Sequence, residues 1–206
     1  MKNLFPMFVK LEGRQVLVVG AGRVGEPKIR ALLPTGAKIR VIARVASTAV
    51  RNWARGGDIV LEERDFVPSD LADVSFIVVA TSSRGLNQSI FREAQTRRIL
   101  CNVVDVPEQC DFYYPAVVRR GDLQIAISTS GQSPSLARKI RQQLERQFGP
   151  GYGYWVAALG ETRRRVLASH LEPERKRALL QSLASAEAFE AVIAAESQAN
   201  VRSKET

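Results

Sequence analysis

Gln15 to Arg44, QVLVVGAGRVGEPKIRALLPTGAKIRVIAR, decides the fold. It reads as strand, glycine turn, helix and second strand in about thirty residues, the length of one βαβ unit. Val16 to Val19 form a continuous apolar run, the pattern of a parallel strand covered on both faces, and the run stops at Gly20. Gly20, Ala21, Gly22, Arg23, Val24 and Gly25 then fill the G-x-G-x-x-G template. Gly20 suits the tight turn, Gly22 a close backbone approach to a pyrophosphate, and Gly25 the close packing of helix on strand. The helix that follows carries Ile29, Leu32 and Leu33, and its N-terminal N–H groups and dipole favour the phosphates. Pro27 lies just inside that helix, where a missing N–H is harmless only in the first turn, so it marks that turn. Any tight strand-to-helix turn can use glycine; the flanking strand, helix and second strand are the context that points to a dinucleotide.

The alternation continues outward from this unit. Ser47 to Arg55 reads as a short helix and Ile59 to Glu63 as a third strand. Ser75 to Thr81 is a fourth strand, and Asn87 to Arg98 a helix with Ile90, Phe91 and Ala94 on one face. Leu100 to Val104 is a fifth strand that ends at Asp105. The fold class is α/β: a Rossmann-type parallel sheet over residues 1–111, followed by a small α+β dimerisation region (112–149) and a helical C-terminal part (150–206). Ligands of such a sheet bind beyond the carboxyl ends of the strands. One cleft is therefore expected to collect Gly20, Gly22, Arg23, Val24, Arg44, Val45, Thr81, Ser82, Ser83, Asn102, Val103, Val104 and Asp105, the glycine turn holding the cofactor.

The pattern changes at Pro107. Phe112 to Val118 and Leu123 to Thr129 are strand-like runs joined by Arg119-Arg120-Gly121-Asp122, a hairpin signal. Ser133-Pro134 opens a helix with a capping side chain and proline at the first position. In that helix Leu136, Ile140, Leu144 and Phe148 recur every four residues, with Arg138, Lys139, Arg141 and Arg146 between them. Gly149 to Gly153 reads as a linker. Beyond it Trp155 to His170, Glu174 to Leu183 and Ala186 to Ala195 read as helices, and the polar tail from Ser197 is expected to be disordered. Three short helices have too little material for a core of their own, and the hairpin strands need neighbours; a homodimer meets both needs.

Among the 206 residues, 45% are hydrophobic and no apolar run approaches the length of a bilayer span, so the expectation is a globular protein with no membrane partner. The N-terminal MKNLFPMFVKLEGRQ lacks a long apolar stretch with a small-residue cleavage site, so a cytoplasmic location is expected. Cys101, Cys110 and the single His170 form neither a C-x-x-C pair nor a ligand cluster, so no resident metal site is expected. Thirty basic against twenty-one acidic residues give a formal charge of +9, which calls for an anionic partner: nucleic acid, a polycarboxylate or a phosphorylated cofactor. A recognition helix or aromatic stacking platform is not discernible, which argues against nucleic acid. A sensor that binds NAD without chemistry is the alternative to an enzyme, since fold alone does not choose between them.

Four segments narrow the choice: Phe5-Pro-Met-Phe-Val-Lys-Leu11, Val19-Gly-Ala-Gly-Arg-Val24 followed by Lys28, Cys101-Asn-Val-Val-Asp-Val-Pro107, and Ile127-Ser-Thr-Ser-Gly-Gln-Ser-Pro-Ser-Leu-Ala-Arg138. In this order and spacing the chain resembles the precorrin-2 dehydrogenase and sirohydrochlorin ferrochelatase family, the siroheme synthase N-terminal module, over essentially its whole length. The resemblance implies NAD-dependent oxidation of precorrin-2 to sirohydrochlorin and, in many members, insertion of ferrous iron. It also implies a three-part subunit, and makes Asp105 the residue on which both activities rest. The chemistry agrees. Oxidation delivers a hydride to the nicotinamide and releases a proton, which a carboxylate at the cleft can take. In chelation the macrocycle supplies the nitrogen ligands to Fe2+ or Co2+, so a Cys/His cluster is not required.

Precorrin-2 carries many carboxylates, which gives the positive charge a partner. Ser128, Thr129, Ser130 and Arg138 are the candidate substrate contacts, although Arg119, Arg120, Arg138 and Lys139 each read more simply as solvated charges. Thr129 aligns with a loop serine that is modifiable or substrate-facing in some relatives. The chain departs from the family at Gly25, commonly Ala, and at Pro27, commonly Arg or a similar residue. Arg44 stands where an NAD enzyme usually has an acid and an NADP enzyme an arginine; NAD is expected because the family reads the ribose without that acid. His170, isolated in an arginine-rich helix, is expected to be a surface or packing residue rather than a catalytic one.

Overall fold

The continuous apolar run makes β1 (Gln15–Ala21) the centre of a sheet buried on both faces. The structure is a computed structural model and describes residues 4–193. By contact it forms two units, Met1–Tyr114 and Pro115–Thr206.

In the first unit β1 is followed by α1 (Gly25–Leu32), β2 (Lys38–Ala46), α2 (Thr48–Arg55), β3 (Val60–Glu63), β4 (Phe76–Val79), α3 (Arg84–Thr96) and β5 (Leu100–Val103). The strands are parallel in the order β3-β2-β1-β4-β5. Val16 to Val19 pair with Ile39 to Ile42 on one side and Phe76 to Val79 on the other. Because the chain winds outward through β2 and β3 and then returns to β4, the order reverses between β1 and β4. That reversal opens a crevice at the carboxyl ends of these two strands.

Strand periodicity divides the core into two layers. Val16, Val18 and Val78 pack with Ile29, Leu32 and Val50 under α1 and α2. Leu17, Val19, Ile77 and Val79 pack with Ile90 and Ala94 of α3 on the other face. Ser47 and Ser83 cap α2 and α3 by accepting from the Val50 and Leu86 N–H groups. Between β3 and β4 the buried Asp70 accepts from the Val67 N–H at 2.8 Å and from Arg64 at 2.6 and 2.9 Å, with Arg40 at 3.3 Å. The Arg64 hydrogen bonds hold its carboxyl below the usual carboxylate range.

The second unit begins with β6 (Ala116–Arg120) and β7 (Leu123–Ile127), antiparallel about Gly121-Asp122, with Gly121 at φ 55°. The first strand is shorter than its sequence suggests. Phe112 and Tyr114 belong to the first unit's core, where the Phe112 ring meets Phe76 edge-on at 5.2 Å. Helices α4 (Pro134–Gln147), α5 (Gly151–Ala168) and α6 (Pro173–Ser182) follow, and residues 186–193 are also helical. Ser133 caps α4 through the Leu136 N–H, and Arg120 donates to the Phe148 and Glu145 carbonyls at the other end. Arg120 is therefore not simply a solvated charge.

The glycine-rich segment is not a linker. Gly151 and Gly153 form the first turn of α5, and their glycines serve close packing. A Cβ on Gly153 would lie 3.3 Å from the Arg120 carbonyl carbon, and one on Gly151 2.5 Å from Ile193. Phe148, Tyr152, Trp155 and Phe189 stack around this turn. His170 is exposed, as expected. The tail from Ser197 and the last residues of the third predicted helix lie outside the described residues.

Candidate functional site

The glycine turn joins β1 to α1 at the mouth of the crevice, and each glycine answers a different constraint. Gly20 has φ 103° and a Cβ there would strike the Ala80 carbonyl oxygen at 2.3 Å. A Cβ on Gly25 would lie 2.0 Å from the Gly20 carbonyl oxygen, so α1 sits against the strand end with no room for a methyl group. Gly22 differs: nothing lies within 4 Å of a Cβ built there. Its smallness serves no packing inside the protein, as expected of backbone left open to a ligand. No side chain caps α1, whose N-cap is Val24, and Arg23 and Val24 are exposed. The residues fit a bound dinucleotide: a tight, uncapped helix start with one open glycine.

Arg44 and Val45 lie near the end of β2, 79% exposed at the arginine side chain and 71% at the valine. The Arg44 guanidinium is engaged by Asp65 at 2.5 Å. Thr81 and Ser82 follow β4. The Thr81 hydroxyl donates to the Asn87 side chain, Asn87 donates back to the Thr81 carbonyl at 3.1 Å, and the Ser83 N–H donates to the Thr81 hydroxyl at 3.2 Å. Asn87 is buried and fixes this loop; sequence reading missed it because a helical asparagine carries no signal of its own.

Two expected contacts face inward. Val103 is fully buried in the α3 layer. Asn102 is buried and donates to the Phe112 carbonyl at 2.7 Å and to the Cys110 sulfur at 3.3 Å, so its side-chain amide holds segment 110–112. Asp105 faces out. The chain turns at the end of β5, with the Val106 N–H donating to the Val103 carbonyl at 3.2 Å, and Asp105 takes φ 64°. A non-glycine residue in this region carries a conformational cost that Asp tolerates better than most. Beside it Val106 and Gln109 line a cavity of about 360 Å³ with Arg84, Asn87 and Gln88.

Asp105, Cys110 and Tyr114 surround Lys28 of α1. The Lys28 ammonium stands 4.2 Å from the centre of the Tyr114 ring. Burial lowers its pKa, opposed first by the Asp105 charge. Burial pushes the Cys101 thiol up to about 12 and raises that of Cys110 as well, so neither is a thiolate near neutral pH. Among the described residues no group of three His, Cys, Asp or Glu side chains could hold a metal ion.

In the second unit Ser128, Thr129 and Ser130 form a tight loop before α4. The Ser130 N–H donates to the Ser128 hydroxyl, the Ser133 N–H donates to the Thr129 hydroxyl, both at 3.1 Å, and Ser130 takes φ 52°. Arg138 is exposed on α4.

Residues 7–116 match the family described as putative NAD(P)-binding, and residues 120–147 match the one described as sirohaem biosynthesis protein central. Siroheme synthase 1 of Yersinia enterocolitica is 38% identical over 80% of this chain and 35% of its own length. The siroheme synthase of Pseudomonas paraeruginosa is 35% identical over 93% of this chain and 41% of its own. This chain thus spans between about a third and two fifths of such relatives. Among solved structures, SirC, a precorrin-2 dehydrogenase, superposes with a TM-score of 0.80 over 92% of this chain and 94% of that one, at 28% identity. With a glycine turn built for a dinucleotide and both segments matched in order, the chain belongs to the precorrin-2 dehydrogenase and siroheme synthase N-terminal family, founded on a putative NAD(P)-binding domain.

Proposed function

We propose that this protein oxidises precorrin-2 to sirohydrochlorin with NAD, in siroheme biosynthesis. The observation that carries the reading is the likeness to SirC, which extends through nearly the full length of both chains and so takes in the second unit as well as the nucleotide fold. In this reading Gly20, Gly22, Arg23 and Val24 hold the pyrophosphate, Arg44 and Val45 flank the adenosine, and the loop at Thr81 and Ser82 and the backbone of Asn102 and Val103 border the nicotinamide. NAD bound there supplies the acceptor for the hydride. The Asp105 carboxylate accepts the proton that the macrocycle releases in the same oxidation. Ser128, Thr129, Ser130 and Arg138 are assigned to the substrate's carboxylates, as hydrogen-bond donors and a cation.

NAD is favoured over NADP by the acid at Arg44. Asp65 occupies its guanidinium and places a negative charge where a ribose 2′-phosphate would approach. Insertion of Fe2+ or Co2+ into sirohydrochlorin at the same carboxylate is proposed as a second activity, the ion entering as substrate. The proposed assembly is a cytoplasmic homodimer of three-part subunits. Half-exposed Ile140, Leu144 and Phe148, together with Leu136 at 48% exposure, give α4 an apolar stripe for a partner.

One assay tests the function: purified protein with precorrin-2 and NAD, followed optically, then supplied with ferrous or cobaltous ion. NAD reduction in step with the change in macrocycle absorption is the expected result. NAD binding without reduction in the presence of precorrin-2 would leave the sensor reading standing instead.

A further inference from the structure

One cavity of the first unit lies apart from the glycine turn. It opens beyond the carboxyl ends of β4 and β5, between the first turns of α3 and the loop after β5, where Arg84, Asn87, Gln88, Val106 and Gln109 line about 360 Å³. Its walls are fixed by hydrogen bonds. Both ends of the Asn87 amide are bound to Thr81. In the loop the Gln109 N–H and the Cys110 thiol donate to the Val106 carbonyl at 2.9 and 3.3 Å, and the thiol also reaches the Val103 carbonyl at 3.1 Å. The other polar side chains are uncommitted. Among the described residues Arg84, Gln88 and Gln109 make no side-chain hydrogen bond or ion pair, and none of the lining residues is acidic. A guanidinium and two amides around one space offer donors to an anion. Exposed Arg92 continues the row of Arg84 and Gln88 at four-residue spacing along α3, which extends the positive rim.

We propose that this cavity is a subsite for one carboxylate arm of the macrocycle, with Arg84 as its cation and Gln88 and Gln109 as its amide donors. Arg84 is then a specificity-determining residue for the substrate. The proposal rests on the reading of this chain as a precorrin-2 dehydrogenase and adds a contact in the first unit to those assigned in the second. Size limits the occupant. Pockets for drug-sized ligands run to about 300–1,000 Å³, so a cavity at the low end of that range takes one edge of a tetrapyrrole with its arm and not the whole ring. Position favours the same occupant. Val106 follows Asp105 directly, their Cα atoms about 3.8 Å apart, so an arm held here brings its edge of the ring to the residue assigned to the proton. Charge disfavours the cofactor. Its pyrophosphate is assigned to the glycine turn, and its oxidised nicotinamide is a cation that Arg84 repels.

The test uses Arg84→Gln, Arg84→Glu, Arg84→Lys and Gln109→Leu in the full chain. Arg84→Gln is expected to raise the KM for precorrin-2 about tenfold at saturating NAD and to leave kcat within about threefold, with Arg84→Glu raising KM further. Arg84→Lys recovers part of the loss, because it restores the charge without the planar fork. Gln109→Leu raises KM about threefold. Added salt raises the parent's KM and narrows its difference from Arg84→Gln. Because Arg84 is exposed and unpartnered, NAD affinity stays within about twofold and the melting temperature within ~2 °C of the parent. An unmoved KM in both Arg84→Gln and Arg84→Glu makes Arg84 a solvated charge and overturns the proposal. A fall in NAD affinity with KM unmoved gives the cavity to the cofactor and overturns it too. Optical titration with sirohydrochlorin, without NAD, separates the two readings. A parent that binds it, about tenfold tighter than Arg84→Gln does, but never reduces NAD with precorrin-2 keeps the subsite and fails the dehydrogenase. A parent that turns over normally and is indifferent to both Arg84 substitutions does the reverse, and one that binds no tetrapyrrole overturns both.

Discussion

Two glycines three residues apart are expected to respond to the same substitution with opposite effects on stability. Gly25→Ala places a Cβ 2.0 Å from the Gly20 carbonyl oxygen and 2.9 Å from its carbon, where ordinary contact begins near ~3.5 Å. Both obstructing atoms are backbone, so relief requires α1 to move away from the end of β1. Overpacking of this kind costs about 1–3 kcal/mol, and at roughly 2–4 °C per kcal/mol for a chain of this size the melting temperature falls by about 2–12 °C. Gly22→Ala meets nothing within 4 Å, and Gly22 does not occupy the left-handed region. Its methyl group restricts the unfolded chain and stabilises the free protein by up to ~1 kcal/mol. The same methyl stands in the open backbone assigned to the pyrophosphate, so NAD affinity falls at least about tenfold, worth ~1.4 kcal/mol. Melting with and without NAD at one fixed concentration reads both effects, because NAD raises the parent's melting temperature by mass action and raises that of Gly22→Ala less. A Gly22→Ala protein that melts low without NAD, or binds NAD as the parent does, refutes the division of roles within the turn.

Asp105→Asn is expected to keep NAD binding and lose dehydrogenation by at least roughly 100-fold, with metal insertion falling alongside it; near-normal turnover in a steady-state assay sends the search for the base elsewhere. Asp65→Ala frees the Arg44 guanidinium that Asp65 now holds, so the ratio of NADP to NAD affinity rises, by about threefold to tenfold in paired titrations. An unchanged ratio places Arg44 outside the ribose site. Asp70→Ala leaves Arg64 and the Val67 N–H without their acceptor, and a loss of about 3 kcal/mol in denaturant melts is expected. The Asp70 carboxyl is depressed in the fold, so its stabilisation is present above the unfolded carboxylate pKa and disappears as pH falls through the folded value. The parent should therefore lose more stability on acidification below pH ~4 than Asp70→Ala does. Sedimentation at micromolar concentration is expected to give a homodimer, and a stable monomer there refutes the partner assigned to α4.

What could be read from the sequence and what could not are separated by the range of the forces involved. The parallel sheet was legible because its signal is local: Val16 to Val19 must be covered on both faces, and a strand that stops at Gly20 before a helix leaves few alternatives. The place of Asp105 just past the end of β5 was legible too. The inward turn of Asn102 was not, since it depends on a carbonyl ten residues away at Phe112, and the hydrogen bond that decides it leaves no mark on the strand's own pattern. Gly149 to Gly153 misled for a related reason. Glycine signals freedom of the backbone and also absence of a side chain, and only the approach of Ile193 and the Arg120 carbonyl shows that the second is what α5 uses. Lys28 belongs to the same class. As a letter it is one basic residue among thirty, and as a position on α1 it is a half-buried ammonium standing on the Tyr114 ring. The glycine turn thus does more than open the crevice. By fixing where α1 starts, with Gly25 pressed on Gly20, it also fixes where Lys28 stands one turn later.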